Sequence, residues 1–436
     1  MLSILKCGRS IVGRQGVTNV CYGERLFNTT AARKPMVNSG YIFLRRIPNQ
    51  LGKVRGLFRQ TGSIALGYVT KTNPKSDKIV GTWMLTCSGM VLAAVILGGV
   101  TRLSESGLSM VTWKLLGEKM PTSESDWVAE FELYKRYPEF KLMNRNMTLE
   151  EFKRIWWMEY VHRTWGRLIG AAFIVPAVYF WSKGMLRPTM KGRVLALGSL
   201  IGIQGLMGWY MVQSGLEDRF QGPADVPRVS QYRLAAHLGL ALILYSGLLY
   251  NALDHLLSAK KVSIDYFSAA VINTRQIKSL RRFRWVIYSS KGLVFLTALS
   301  GAIVAGLDAG LIYNTFPRMG EKWIPDDILA LSPPLRNITE NPTTAQFDHR
   351  LMGYLTLTLL TVMGVASRKH KLPGRCKTVI KILITAAYLQ VGLGITTLLL
   401  HVPMNLATMH QSGSLLLLSA ATWLCHEAKH LKKLPK

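Results

Sequence analysis

The chain carries a series of apolar segments of about 20 residues, and this series constrains its fold more than any other feature. A helix needs about 20 mostly apolar residues to cross the hydrocarbon core of a bilayer. Eight segments meet or approach that requirement, at residues 80–100, 163–182, 194–213, 234–253, 286–307, 351–366, 379–400 and 404–425. The sequence therefore predicts an all-α membrane protein with eight transmembrane helices.

The charge of the chain agrees with a membrane setting. Of its 436 residues, 49% are hydrophobic and only 18% are charged, yet 54 Lys and Arg outnumber 24 Asp and Glu. In a nucleic-acid-binding protein the basic residues would cluster on one folded segment with interleaved aromatics. Here they fall between the apolar segments. We therefore expect the lipid bilayer as a partner and no nucleic acid.

The connections between the segments alternate in charge, which indicates their orientation. Residues 183–193, 254–284 and 367–377 are strongly basic, whereas 103–159 and 306–348 hold more acids than bases. Basic connections stay on the inner side of a membrane, so both termini are predicted to lie inside. On the outer side, Trp156 and Trp157 before the second segment fit an aromatic belt at the interface.

The two ends of the chain are basic. Residues 1–60 contain eleven Lys and Arg and a single acid, Glu24. This composition is typical of a mitochondrial transit peptide followed by a basic matrix segment, and a basic tail of another origin is the alternative. Residues 427–436 form a second basic segment. We expect a multi-pass protein of the mitochondrial inner membrane with both termini in the matrix.

The two halves of the chain repeat one pattern. The matched positions are Glu159, His162 and Arg163 in the first half and Gln346, His349 and Arg350 in the second. A second histidine, His237 or His410, opens the last segment of each half. Each half has four segments, so both enter the membrane in the same direction. We predict two tandem four-helix bundles, residues 80–255 and 286–426, related by an internal repeat.

Four histidines share one depth in this arrangement. His162, His237, His349 and His410 all fall at the outer ends of segments, toward the intermembrane space. A lone histidine at a helix end is usually bonded to a carbonyl, but four at equivalent repeat positions indicate heme ligation from facing helices. Pairing within each half is the simplest arrangement, and pairing between halves stays open. His255, His370, His426 and His430 are expected to be solvated residues of the basic face.

The residues around the histidines suggest how two hemes would be used. Arg163 and Arg350 are candidate partners for heme propionates, although ordinary surface arginines are equally common at such places. Glu159 is matched by Gln346, and a carboxylate can act as a base or stabilise positive charge where an amide cannot. We therefore place a reacting heme in the first half, with Glu159 as the catalytic residue. The alternative for Glu159 is one more acid in an acidic loop.

Longer motifs resemble a known family. They are LGGVTRLSESGLSMVTW at 97–113, EYVHRTWGR at 159–167, YNTFPRMG at 313–320 and NITENPTTAQFDHRLMGY at 337–354. Together they resemble the heme A synthases of the mitochondrial type, over residues 80–426. A cysteine pair found in the outer loop of some bacterial members has no match in residues 103–159.

The resemblance implies an activity and a set of roles. The family oxidises the C8 methyl of heme O to the formyl group of heme A by successive hydroxylations, for cytochrome c oxidase assembly. His349 and His410 would ligate heme b as a cofactor. His162, His237 and Arg163 would face the heme O substrate. The implied partners are a matrix ferredoxin as electron donor, heme O synthase and a second copy of the chain.

Two other functions compete with a heme-dependent membrane oxidoreductase. A diheme, bis-histidine electron-transfer cytochrome would need the same histidines and would alter neither heme. Histidines at one membrane face argue weakly against a chain of hemes across the bilayer. A heme or metal carrier would need charged residues along a path through the midplane, and the apolar segments hold almost none.

Overall fold

The computed structural model describes residues 74–217, 226–257 and 274–431, and the regular secondary structure in them is helical. The α-helices are α1 Pro74–Leu103, α2 Glu124–Tyr134, α3 Pro138–Leu142, α4 Leu149–Ser182, α5 Pro188–Leu216, α6 Gln231–Leu256, α7 Thr274–Gly306, α8 Asn337–Glu340, α9 Pro342–Ser367, α10 Gly374–Leu399 and α11 Met404–His430. All belong to one unit, Thr70–Lys436. The all-α prediction agrees with this architecture.

Among the described helices, six are long and apolar enough to cross a membrane: α1, α5, α6, α7, α9 and α10. Helices α4 and α11 are 34 and 27 residues long. They coincide with the second and eighth predicted segments and are long enough to cross a membrane, but their polar and aromatic residues make them less hydrophobic than the other six. Because six helices are long and apolar enough to cross a bilayer, the chain is a multi-pass membrane protein.

Proline and capping residues set where several helices begin. Pro188 and Pro342 occupy the first turn of α5 and α9, where the missing N–H costs nothing. The Asn341 side chain caps α9 by accepting from the backbone of Thr343 and Thr344. A capping box of Thr148 and Glu151 starts α4 well before the predicted apolar segment. The early start of α4 carries its N-terminal end beyond the apolar stretch.

The long helices pack in two rings. In the first, α1 contacts α4, α4 contacts α5, α5 contacts α6, and α6 returns to α1. In the second, α7 contacts α9, α9 contacts α10, α10 contacts α11, and α11 returns to α7. The rings meet where α6 packs on α7 and where α11 packs on α1 and α6. One apolar core, with Met84, Leu248, Leu360 and Leu418 fully enclosed, runs through both rings.

The acidic connection between α1 and α4 folds into an aromatic cluster, which we call the outer cluster. It comprises Met110, Phe131, Tyr134, Phe152 and Trp156. Trp156 is completely buried, stacked on Tyr160 with ring centres 4.9 Å apart. Its assignment to an interfacial belt was wrong, because α2 and its flanking loops cover it. Trp157 is 40% exposed.

Two histidines of the basic face also differ from expectation. His255 packs beside Asp77, and His426 is fully buried between Asp254 and Glu427. Both were predicted to be solvated. The helix ends come together around these carboxylates, so the imidazoles are enclosed with counter-charges instead of facing water.

Two predicted segments lie wholly or partly outside the described residues. The transit peptide and basic matrix segment at 1–60 is one of them. The basic tail at 427–436 is described only as far as residue 431.

Candidate functional site

Each of the four predicted histidines projects from a different helix and packs on a glycine of a neighbouring helix. A Cβ on Gly98 of α1 would lie 2.9 Å from Cε1 of His162, and one on Gly301 of α7 would lie 3.2 Å from Cε1 of His349. The second histidine of each half repeats the arrangement. A Cβ on Gly208 would lie 3.1 Å from His237, and one on Gly394 would lie 2.6 Å from His410. A side chain would force the imidazole to shift at Gly98 and Gly394 and would press closely on it at Gly208 and Gly301.

The second histidine of each half also has a glutamine partner on the preceding long helix. Gln204 Nε2 donates to the carbonyl of His237 at 2.9 Å and lies 3.2 Å from its Nδ1. Gln390 Nε2 donates to the carbonyl of His410 at 2.7 Å and lies 3.1 Å from its Nδ1. The two halves therefore hold this histidine in the same way.

The imidazoles of His349 and His410 lie next to each other inside the second set of four helices. Their centres are 6.4 Å apart and their planes are nearly perpendicular. Two imidazoles that bind one metal through nitrogens at about 2 Å each have ring centres about 6 Å apart. The spacing fits a bis-histidine heme iron. Beside them, Arg350 Nε is buried with no hydrogen-bond partner among the described residues, and a heme propionate would supply an acceptor.

The first histidine of each half has a different hydrogen-bonding environment. Nδ1 of His349 lies 2.8 Å from Oγ of Ser300. Nδ1 of His162 is buried and has no partner within the described part of the chain. The two halves therefore match at these glycines and glutamines and differ at this nitrogen.

Glu159 lies one turn before His162 on α4 and is almost fully buried. One carboxylate oxygen accepts from Ser109 Oγ at 2.7 Å and from the Met110 backbone N–H at 2.8 Å. The other lies 2.6 Å from the guanidinium of Arg163. Arg163 also donates to the carbonyls of Met110 and Thr112, both at 2.7 Å. The pair fastens the loop after α1 over the outer end of α4.

Gln346 occupies the matching place on α9 and is equally buried. Its Nε2 donates to the carbonyl of Ala309 at 2.7 Å, and its Oε1 accepts from Arg350 at 3.0 Å. Arg350 donates to the carbonyls of Tyr313 and Arg318 as well. The second half thus keeps the scaffold of the first but replaces the buried negative charge with an amide.

Comparison with known families identifies the chain. The model of a family described as cytochrome oxidase assembly protein, COX15-CtaA, matches residues 81–422. The chain belongs to this family. The match spans all eight long helices and confirms the family resemblance predicted from the motifs.

Individual relatives in the family are similar over most of their length. The heme A synthase COX15 of Bos taurus is 54% identical over 390 residues, which cover 89% of this chain and 90% of the relative. That of Saccharomyces cerevisiae is 40% identical over 362 residues, covering 80% and 74%. A heme A synthase–mitochondrial ferredoxin fusion protein of Schizosaccharomyces pombe is 38% identical over 402 residues, covering 87% and 63%.

Sequence reasoning missed part of the site. Ser300 and the two glutamines, Gln204 and Gln390, were not predicted as site residues, although both glutamines stand at matching positions of the repeat. Their regular offset before Gly208 and Gly394 was the available signal. Ser300 carried no such signal, because its partner lies 49 residues away in the sequence.

Proposed function

We propose that the chain is a heme A synthase, an oxidoreductase that converts the C8 methyl of heme O into the formyl group of heme A by successive hydroxylations. The observation that carries the proposal is the set of four histidines seated on glycines, two in each half. A buried carboxylate lies one turn before the first histidine in one half, and an amide takes that place in the other. The curated relatives named heme A synthase confirm the prediction made from the motifs. The product serves cytochrome c oxidase assembly.

The proposed architecture has eight transmembrane helices in two tandem four-helix bundles related by an internal repeat. Two features support it: each set of four long helices closes on itself, and the glycine and glutamine partners of the histidines recur in both sets. Helices α4 and α11 then span the membrane despite their polar residues. This is supported by the packing of His162 on Gly98 and of His410 on Gly394, and by the hydrogen bond of Gln411 to α1.

The C-terminal bundle is proposed to hold heme b through His349 and His410. The ring spacing of 6.4 Å and the unpartnered Nε of Arg350 support this assignment. Bound there, heme b would supply one-electron chemistry for the oxidation. The contribution of the chain is to orient both imidazoles, exclude water and neutralise propionate charge through Arg350.

The N-terminal bundle is proposed to bind heme O between His162 and His237, with Arg163 near its propionates. Glu159 is the proposed catalytic residue. It lies one turn from His162, where its fixed negative charge would stabilise positive charge that develops on the substrate. The guanidinium of Arg163, 2.6 Å away, offsets part of this charge, and little water is present to screen the remainder.

The proposed location is the mitochondrial inner membrane, with both termini in the matrix and the histidines toward the intermembrane space. A matrix ferredoxin is the proposed electron donor, and the ferredoxin fusion in the Schizosaccharomyces pombe relative supports it. Heme O synthase, as the source of substrate, and a second copy of the chain are the other proposed partners. The charge alternation of the connections supports the orientation.

The test is Glu159→Gln beside wild type, with the non-covalent hemes extracted and identified by mass. We expect the variant to retain heme b while heme O or its hydroxylated intermediate accumulates and heme A falls at least tenfold. Ser109→Ala is the matched control, since it removes one hydrogen bond to Glu159 and leaves the charge. Wild type that yields heme b alone, with no heme O, intermediate or heme A, would establish the electron-transfer cytochrome instead.

A further inference from the structure

Ser300 on α7 links the imidazole of His349, on α9, to the backbone of α7. Its Oγ lies 2.8 Å from Nδ1 of His349 and 2.8 Å from the carbonyl oxygen of Thr297. Ser300 therefore stands between a ring nitrogen on α9 and a carbonyl on α7.

This geometry favours the tautomer of His349 that carries its proton on Nδ1. A carbonyl oxygen can only accept, so the single hydroxyl hydrogen of Ser300 is donated to Thr297. The hydroxyl oxygen must then accept a hydrogen from Nδ1 of His349. With its proton on Nδ1, the ring presents the Nε2 lone pair, which is the form that binds a metal.

The matching position in the first half cannot make this connection. Gly98 and Gly301 seat the two equivalent histidines, and the residues directly before them are Leu97 and Ser300. A leucine side chain has no acceptor. Nδ1 of His162 accordingly has no partner among the residues that the structure describes. Its ring is held by packing on Gly98 but not by a hydrogen bond at Nδ1.

We infer that Ser300 is a positioning residue that makes the C-terminal heme site a permanent one, and that Leu97 leaves the N-terminal site exchangeable. The inference rests on the proposed function and deepens it. A hydrogen-bond acceptor on the far nitrogen of an imidazole ligand orients the ring, raises its basicity and changes metal affinity about 10- to 100-fold. A cofactor benefits from such retention, whereas a substrate heme that leaves as product does not.

The experiment compares Ser300→Ala with wild type in detergent, following the loss of each heme to excess apomyoglobin. Extraction and mass identification separate heme b from heme O and heme A. We expect heme b to leave about 10- to 100-fold faster from Ser300→Ala. The reduction potential of the remaining heme b should rise, because a less basic imidazole stabilises the ferric state less. Loss of heme O and heme A should not change.

Three further variants separate positioning from general stability. Ser290→Ala makes the same chemical change on α7, where the hydroxyl bonds to the carbonyl of Ile287, and should retain heme b as wild type does. Ser300→Thr keeps a hydroxyl and should restore slow heme b loss. Leu97→Ser offers His162 a new acceptor and should slow the loss of heme A.

The outcomes distinguish this inference from the proposed function. Equal heme b loss and equal potential in Ser300→Ala and Ser290→Ala would overturn the role of Ser300. Unchanged heme A loss in Leu97→Ser would overturn the role of Leu97. A wild-type protein that binds no heme b would overturn the proposed function and this inference together, and would be seen before any variant is compared.

Discussion

Arg163 and Glu159 form a buried ion pair. The side chain of Arg163 is 11% exposed and that of Glu159 is 3% exposed. Arg163 reaches two loop carbonyls in addition to the carboxylate. A buried charge that loses its partner is strongly destabilising, typically by about 3 to 5 kcal/mol. The pair therefore contributes to fastening the outer loop as well as to the proposed chemistry.

Replacing Arg163 with leucine should lower the free energy of unfolding by about 3 kcal/mol, because Glu159 would remain buried without a counter-charge. The measurement is the thermal midpoint of the purified protein in detergent. Arg167→Leu is the matched control. Arg167 lies one turn further along α4, donates to the carbonyls of Lys114 and Leu115, and should cost only about 1 kcal/mol. Equal losses in the two variants would contradict the role given to the buried pair.

For individual residues, the sequence was informative where a polar or ionisable side chain stands at the edge of an apolar segment, because burying such a side chain costs free energy. Histidine and glutamate at the edge of apolar segments are conspicuous, so His162 and Glu159 could be singled out. Ser300 is not conspicuous, since a serine in a membrane helix ordinarily bonds to its own backbone. Its role depends on the packing of α7 against α9, which places the imidazole of His349 beside it. Neither the charge pattern nor the hydrophobic periodicity of the sequence predicts that contact.

The stability of the outer cluster should depend on pH, because Glu139 is buried against Tyr134, a member of the cluster. Glu139 in α3 is buried, and its side chain accepts from the hydroxyl of Tyr134 at 2.9 Å. Burial raises the pKa of Glu139 to about 8, with the nearby charge of Glu159 acting in the same direction. The sequence predicted only an acidic connection here. Which acid becomes buried depends on the short turn after Tyr134, and the hydrophobic periodicity of the sequence does not predict that turn.

The outer cluster should lose stability as pH rises. Between its ordinary pKa of 4.5 and about 8, Glu139 is protonated when folded and ionised when unfolded. Unfolding then releases a proton, so the free energy of unfolding falls across this window and levels off above it. Tryptophan fluorescence during denaturation at pH 5 and pH 8 would measure the effect.

Glu139→Gln is the variant that tests this assignment. The amide oxygen can still accept from Tyr134, and no proton is exchanged. The variant should match wild type near pH 5 and be more stable than wild type near pH 8. A pH dependence as steep as that of wild type would show that another group is responsible.

For the whole molecule, the contact between the two rings of helices passes close to both proposed heme sites. Gln411 directly follows His410 on α11 and donates to the carbonyl of Val95 on α1 at 2.7 Å. Its amide also packs on Gly99, next to the glycine that seats His162. The equivalent residue after His237 is Leu238, so only one of the two repeats contributes this polar contact. The sequence predicted the two bundles but not which residues join them.

Replacing Gly99 with alanine should weaken the association of the two rings. Its Cβ would overlap the amide of Gln411 and break the bond to Val95. Because the displaced amide is the flexible end of its side chain, the main cost is the lost hydrogen bond, about 1 kcal/mol, and the thermal midpoint should fall below that of a neutral glycine substitution. Gly89 lies on the same helix with open space around it, so Gly89→Ala should be neutral or stabilising by about 1 kcal/mol. A thermal midpoint of Gly99→Ala at or above that of Gly89→Ala would show that the contact of Gln411 with α1 does not stabilise the association of the two rings.

The matched glycine seats of His162 and His349 give the molecule a built-in reference. Each of these imidazoles rests on a bare helix backbone at the matching place in its half. A spectroscopic signal from one ring can therefore be compared with that of the other in a single sample, at one temperature and in one detergent. The comparison reports the side chains in which the two surroundings differ, among them Leu97 and Ser300, and Glu159 and Gln346.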